Sequence, residues 1–331
     1  MRSLLSQGEV DIAKQLIRAA KACGADAIKF QKRTITAILT KAALAKPYTD
    51  PRKSFGPTYG EHRAALELDE AQWREMKRCA DEAGILFTGS GWDEASVDFL
   101  DRIGVPFFKM ASADLTNLPL MRHTASKGKP MVVSTGMADL ATVRVTHDVL
   151  AAIPGCAFCL LHCCSAYPCP DELLNLRCIG TFAREFPATV VGYSGHETGV
   201  ATTVGAVALG ACVVERHFTL DRTMKGGDHR ASLEPAGFAS LVDGCRAVRR
   251  ALGDGVKRVQ GPERPVFAKL AKSLVSTRAL AKGTVLTRAH LTWKSPGTGI
   301  AVNRLEEVLG KAVARDIEED VVINDEDVQW S

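Results

Sequence analysis

Two histidines stand 21 positions apart, each closing a short apolar run: His196 in Gly192-Tyr193-Ser194-Gly195-His196-Glu197-Thr198, and His217 in Val214-Glu215-Arg216-His217. Imidazole suits Mn, Fe, Zn and similar divalent ions, and two protein nitrogens leave coordination positions for substrate oxygens. Read locally, each histidine could equally be a hydrogen-bonded strand-end residue. A second group is Gly226-Gly227-Asp228-His229, beside Lys225. Glycine permits close backbone approach to a ligand, and Asp228 could bind hydroxyls or assist proton transfer, although the segment also reads as an ordinary turn. A third group could cradle a phosphate or carboxylate. Lys109 leads into Ala111-Ser112-Ala113-Asp114, Ser134-Thr135-Gly136 sits where a strand passes into a helix, and Lys29 adds a second cation. Small hydroxyl residues at a helix start, together with lysines, make an anion site.

Those residues need a scaffold, and the surrounding pattern supplies one. Short apolar runs recur at 27–31, 85–88, 106–110, 131–135, 158–162, 189–193 and 212–217, with helical patterns between them at 10–23, 69–83, 93–103 and 198–209. Strands alternating with helices at this spacing predict parallel βαβ units in an α/β fold. The strands are nearly continuous in apolar character, as expected when both faces are covered. Lys29, Gln31, Thr88, Lys109, Ser134, Ser194 and His217 all fall at or just past strand ends. Polar ends on nearly every strand favour a (β/α)8 TIM barrel over a doubly wound sheet, whose site gathers at one crevice. No GxGxxG follows a first strand, and there is no phosphate-loop lysine motif. The count reaches seven strands and the chain opens on a helix, so the first barrel strand is expected to be missing, which would expose two sheet edges. The barrel is expected over residues 1–252. A Gly- and Pro-rich linker follows over 253–266, then a small β-rich domain over 267–331.

Composition narrows the function class. Hydrophobic residues make up 46% and charged residues 24% of the 331, with a net charge of +4, which is ordinary for a soluble globular chain. The basic residues are dispersed, which argues against nucleic acid. No stretch approaches the roughly 20 apolar residues of a membrane helix. The start, Met1 to Leu5, turns polar at once without a signal-peptide core, so a cytoplasmic location is expected. Cys156 and Cys159 have CxxC spacing among ten cysteines. A zinc ribbon needs a second such pair and none is present, so reduced, mostly buried thiols are expected, with Cys159, Cys163, Cys164 and Cys212 lying in apolar runs.

Taken together, Ile28-Lys29-Phe30-Gln31, Thr58-Tyr59-Gly60-Glu61-His62-Arg63, Phe107-Phe108-Lys109, Ser134-Thr135-Gly136-Met137, Ser165-Ala166-Tyr167-Pro168, Gly192 to His196 and Glu215 to Phe218 closely resemble the sialic acid (N-acetylneuraminate) synthase family. The tail, from Lys272-Ser273-Leu274-Val275 through Pro296-Gly297-Thr298-Gly299-Ile300 to Val308-Leu309-Gly310-Lys311, resembles that family's SAF, or antifreeze-like, domain. The likeness runs over residues 7–325. It implies condensation of phosphoenolpyruvate with N-acetylmannosamine or its 6-phosphate, with phosphate released by C–O cleavage. It implies a divalent metal, Mn or Mg, on His196 and His217. It implies that Lys29, Thr88, Lys109, Ser112, Ser134, Ser165 and Ser194 hold phosphoenolpyruvate, and that Gln31, Asp114, Tyr167 and Asp228 face the sugar, with Lys109, Tyr167 and Asp228 carrying the chemistry. A homodimer is implied, its tail domain reaching across to the neighbour's barrel.

Three departures are visible. Bacterial members carry Glu at the position of Asp114. The family's opening strand bears a Glu that contacts the sugar, and only the end of that motif remains here, as Gln7-Gly8-Glu9, where Glu9 is no replacement. Bacterial members place an Arg at Ser295, for which Lys294 could substitute in part. Two other readings therefore stay open. One is a synthase of another nonulosonic acid, legionaminate or pseudaminate. The other is an N-terminally truncated, non-catalytic remnant that binds ligand or oligomerises.

Overall fold

A computed structural model describes residues 6–330; Met1 to Leu5, and with them the expectation drawn from the polar start, lie outside the described residues. The chain divides into two compact units, Met1–Gly253 and Asp254–Ser331.

The first unit alternates helix and strand as the apolar periodicity predicts. Helix α1 (Val10–Ala22) buries Ala13, Leu16, Ile17 and Ala20, the one-sided spacing of a surface helix on a core. Strand β1 (Ala27–Lys32) follows, then a long connection with single helical turns at Ile35–Ile38 and Lys41–Leu44, and the short helix α2 (Tyr59–Ala64), capped by Thr58 and Glu61. Helix α3 (Glu70–Ala83) starts at a capping box in which Asp69 accepts from the Gln72 amide and Gln72 accepts from the Asp69 amide. It stops at Gly84, whose φ of 68° is cheap only without a Cβ. Thereafter come β2 (Leu86–Gly91), α4 (Glu94–Arg102), β3 (Phe108–Met110), α5 (Leu118–Ala125), β4 (Met131–Ser134), α6 (Leu140–Ala151), β5 (Phe158–Cys163), α7 (Cys178–Glu185), β6 (Val190–Gly195), α8 (Ala201–Ala208), β7 (Val213–Arg216) and α9 (Pro235–Ala251).

All the pairings among these strands are parallel: β1 with β2, and β3 to β7 in sequence order. The Thr88 hydroxyl donates to the Phe107 carbonyl, which ties β2 to β3. The sheet curls far enough that Lys29 on β1 forms an ion pair of 2.7 Å with Glu215 on β7. It is therefore a curled parallel sheet of the half-barrel kind with helices outside. Where helices meet the sheet, Trp73 sits edge-on to Phe30, Phe87 and Phe99 at 5.8–6.3 Å.

One buried knot fixes the mouth of the sheet between β6 and β7. Glu197 and Arg216 have side chains 0% and 1% exposed, and Arg216 Nη1 lies 3.1 Å from Glu197 Oε1. Thr202 and Thr203 donate to the same carboxylate, and the Tyr193 hydroxyl donates at 2.9 Å. Arg216 also donates to the carbonyl oxygens of Glu197 and Gly199 at 2.6 and 2.9 Å. Burial alone would raise the Glu197 pKa, but Arg216 and these hydrogen bonds outweigh it and lower the pKa.

The second unit pairs β8 (Ser273–Ser276) antiparallel with β9 (Leu291–Lys294) over its own core, which includes Leu274, Leu286, Ile300, Val313 and Ile323. A helix, α10 (Arg264–Leu270), begins inside the stretch read as linker; Pro265 in its first turn lacks an amide that the helix would not use there. Lys294 pairs with Asp320. All ten cysteines are free thiols, and Cys212, read as lying in an apolar run, is exposed because it precedes β7 rather than entering it. No described helix is long and apolar enough to cross a membrane.

Removing one partner of a buried, hydrogen-bonded ion pair strands the other charge. Glu197→Ala is expected to cost about 3–5 kcal/mol and lower Tm by roughly 10 °C, while the double change Glu197→Leu with Arg216→Met costs less than the single one. Thermal unfolding of the two variants measures this, and an unshifted Tm in Glu197→Ala would contradict the role given to the knot.

Candidate active site

The strand register places the polar residues. Lys29 and Gln31 share one face of β1, opposite Thr88 and Ser90 of β2. Ser194 ends up beside Glu215 in the β6–β7 register, and His196 and His217 each follow directly on their strands.

Two networks gather most of these residues. The first centres on Glu215. Its carboxylate pairs with Lys29 at 2.7 Å and Lys109 at 3.4 Å, and accepts from Ser194 Oγ at 3.2 Å. Lys109 donates to Ser134 Oγ at 2.6 Å and to the Met110 carbonyl at 2.7 Å. Burial would raise the Glu215 pKa, but Lys109 and Lys29 reverse this and hold the carboxyl well below its ordinary range. Burial pushes the Lys109 amine down, and Glu215 opposes that shift. Glu215, which joins these residues, is one that sequence reasoning passed over. Its signal was an acidic residue within an apolar strand.

The second network centres on Cys163. Its sulfur lies 3.7 Å from Ser112 Oγ, 3.9 Å from Ser165 Oγ and 3.8 Å from His196 Nδ1. The Gly136 amide donates to Ser112 Oγ at 3.0 Å. A Cβ on Gly136 would meet Ser165 Oγ at 2.2 Å and Ser112 Oγ at 2.9 Å, so this backbone approaches the hydroxyls as only glycine can.

The Tyr167 ring lies 4.3 Å from the His196 ring and 5.7 Å from the His217 ring, and the two imidazoles meet edge to face at 5.0 Å. His196 Nδ1 stands 2.9 Å from the Cys164 carbonyl oxygen, so that nitrogen carries the proton and Nε2 presents its lone pair. This tautomer fits a metal ligand. Among the described residues no group of three or more His, Cys, Asp and Glu side chains could hold an ion, so one bound here would take two protein nitrogens and complete its shell from water or substrate oxygen.

The remaining residues flank these networks. The Thr88 hydroxyl is engaged by the Phe107 carbonyl. Asp114 is bonded to Asn117 at 3.4 Å, and it lines a cavity of about 460 Å³ with Arg33, Tyr59, Arg63, Trp92 and Asp93. Burial pushes the Asp114 carboxyl up to about 6, with the nearby Asp93 adding to the shift. Asp228 is buried in the loop after β7, and the Gln7 side chain reaches the neighbouring Lys225 carbonyl at 2.9 Å.

Residues 16–257 match a model of the NeuB family, and residues 271–329 match a SAF domain. The chain belongs to the NeuB family. It is 46% identical to the human N-acetylneuraminate-9-phosphate synthase, over 97% of this chain and 89% of the human enzyme. It is 37% identical to the N,N'-diacetyllegionaminic acid synthase of Legionella pneumophila, over 94% of this chain and 88% of that one. Among solved structures, an N-acetylneuraminic acid synthetase from Leptospira borgpetersenii in complex with citrate superposes with a TM-score of 0.70 at 28% identity, covering 80% of this chain and 88% of that one. A putative spore coat polysaccharide biosynthesis protein E from Chromobacterium violaceum superposes at 0.81 over 99% and 98% of the two chains; at 23% identity it speaks for the fold alone.

Two outcomes follow from this geometry. Glu215→Gln leaves two lysines facing each other without their shared counter-charge, so it should cost roughly 3 kcal/mol. Inorganic phosphate should then raise Tm further in the variant than in the parent; an equal shift in both would argue against an anion seat on Lys29 and Lys109. A carboxyl whose folded pKa lies above its unfolded value takes up a proton on folding between the two. The Asp114 contribution to stability therefore falls as pH rises from its ordinary 3.8 to about 6. Allowing for partial solvent access, Asp114→Asn should stabilise the protein by about 1–2 kcal/mol above pH 6 and by nothing near pH 4, as read from unfolding curves at each pH.

Proposed function

We propose that this chain is a sialic acid synthase, condensing phosphoenolpyruvate with N-acetylmannosamine or its 6-phosphate. The observation that carries the reading is the meeting of two features at the ends of β6 and β7. One is the anion-seeking pair Lys29 and Lys109, tied through Glu215; the other is the imidazole pair His196 and His217. The 46% identity to a synthase of this kind supports it.

In this reading Lys29 and Lys109, with the hydroxyls of Ser134 and Ser194, receive the donor's phosphate and carboxylate. Glu215 holds both amines close together before the donor arrives. Ser112, Ser165, Thr88 and the Gly136 amide complete the seat. Such groups, fixed before reaction, stabilise the charge of the donor without reorganising. Gln31, Tyr167, Asp114 and Asp228 orient the open-chain sugar. C3 of phosphoenolpyruvate then attacks the aldehyde carbon, forming the new C–C bond. Water adds at C2, and the tetrahedral carbon expels inorganic phosphate by breaking its C–O bond. The water gives up a proton as it adds at C2, and Asp228 relays a proton to the alkoxide formed at the former aldehyde oxygen, while Asp114, half protonated near pH 6, donates to a sugar hydroxyl. His196 and His217 would hold a divalent ion, Mn or Mg, which when bound supplies Lewis-acid polarisation of the aldehyde oxygen. A homodimer, with each tail domain reaching its neighbour's barrel, and a cytoplasmic location belong to the same proposal.

The decisive measurement is release of inorganic phosphate from phosphoenolpyruvate with each hexosamine, together with product analysis. A nonulosonic acid carrying the acceptor's carbons is expected; product with only a diacetylated acceptor would shift the reading to a legionaminate or pseudaminate synthase, and no release with any acceptor would refute the synthase reading. His217→Ala should lower turnover more than about 100-fold and weaken Mn binding seen by electron paramagnetic resonance, with Tm nearly unchanged. Unaltered Mn binding would remove His217 from the proposed metal pair.

A further inference from the structure

A concentration of positive charge lies beside the sugar-facing residues, drawn from the end of β1, from α2 and from the loop after β7. At its centre is His62, buried, with its Nδ1 accepting from the Phe55 amide at 3.2 Å. Its ring lies 4.5 Å from Tyr48, 6.0 Å from Phe55 and 6.1 Å from Tyr59. Burial, then Arg63, Arg33 and Lys225 in turn, push the imidazole down to about 4, so at neutral pH it is an uncharged wedge among three cations.

Those cations differ in how they are balanced. Arg33 is paired with Glu67 at 2.7 Å. Arg63 lies over the Tyr59 ring at 4.8 Å and donates to its hydroxyl, and Lys225 lies over the Phe55 ring at 4.9 Å. Neither of the latter two has a carboxylate partner among the described residues. Arg63 is half-buried and Lys225 exposed; each rests on an aromatic face with no carboxylate among the described residues to balance it, so an arriving anion has no existing partner to displace.

The position relative to the sugar contacts is also fixed. Arg33 and Arg63 line the same cavity as Asp114. The Gly226 amide donates to the Arg52 carbonyl at 3.0 Å, tying the Lys225-to-Asp228 loop to the connection before α2, and Tyr48 lies within electrostatic reach of both Arg63 and Asp228. Arg63 thus shares a cavity with Asp114, and Lys225 lies three residues before Asp228, so the cations adjoin both carboxylates proposed to orient the sugar. Attack at the aldehyde places the acceptor's C6 at the far end from the reacting carbon.

We infer that Arg63 and Lys225, backed by Arg33, form the seat of a phosphate monoester on the acceptor's C6, so that the preferred acceptor is the sugar phosphate. This rests on the synthase reading above and narrows its substrate. A monoester dianion matches two such cations, and the planar Arg63 fork can grip two of its oxygens.

The test compares kcat/KM for N-acetylmannosamine 6-phosphate and for N-acetylmannosamine in the parent chain, Arg63→Met, Arg63→Lys and Lys225→Met. The parent is expected to favour the phosphate at least about tenfold, and each Met variant to shrink that ratio by about tenfold through KM, since the group is remote from the bonds that change. Arg63→Lys should recover part of it. Lys225 is exposed, so its variant tests the seat without disturbing the aromatic cluster. A parent that uses both sugars equally, or a ratio untouched by both Met variants, would overturn the inference. In either case phosphate released from phosphoenolpyruvate with the free sugar would leave the synthase reading standing; its absence with both sugars would remove that reading itself.

Discussion

The buried pair of Arg216 with Glu197 is the constraint on which the mouth of this barrel depends. Each member is the immediate chain neighbour of a proposed ligand: Glu197 follows His196, and Arg216 precedes His217. Locking the two charges together at 3.1 Å, with Arg216 also bonded to the Glu197 carbonyl, fixes the separation and tilt of both imidazoles. The interaction is costly to build, because two ions leave water, and three further hydrogen-bond donors to the carboxylate and two carbonyl acceptors for the guanidinium offset that cost.

The end of β7 thus does three different things in three consecutive residues. Strand alternation sends Glu215 to the side of the lysines, Arg216 to the opposite side against the β6–α8 loop, and His217 back toward the mouth. A shift of one residue in the β6–β7 register would exchange these roles, so the pairing of Ser194 with Glu215 is a functional constraint as well as a structural one.

Much of this was legible in the sequence. The parallel strands showed as continuous apolar runs because both their faces are covered, and their polar ends pointed to a barrel mouth. Lys29, Lys109, Ser134 and Ser194 were marked out by that placement, and the structure joins them through one carboxylate. Glu215 itself was not, since an acid in a strand reads as a solvated side chain until two lysines are seen across from it. Cys163 was hidden for the opposite reason: a thiol among apolar residues looks like core, and only the fold shows it touching two serines and a histidine. The cation cluster around His62 escaped as well, because its members come from the end of β1, from α2 and from the loop after β7, which only the fold brings together. The helix at 264–270 was masked by its prolines and glycine, which punctuate its start rather than prevent it.

Gly136 carries a consequence of another kind. The space a methyl group would need there is already filled by the oxygens of Ser165 and Ser112 and the sulfur of Cys163. Three side chains drawn from three separate segments have thus been tailored to one absent atom. A larger residue at this position would require the Ser165 and Ser112 hydroxyls to swing aside, and with them the contacts each now makes. A change of one residue there would therefore be felt in three segments of the mouth at once.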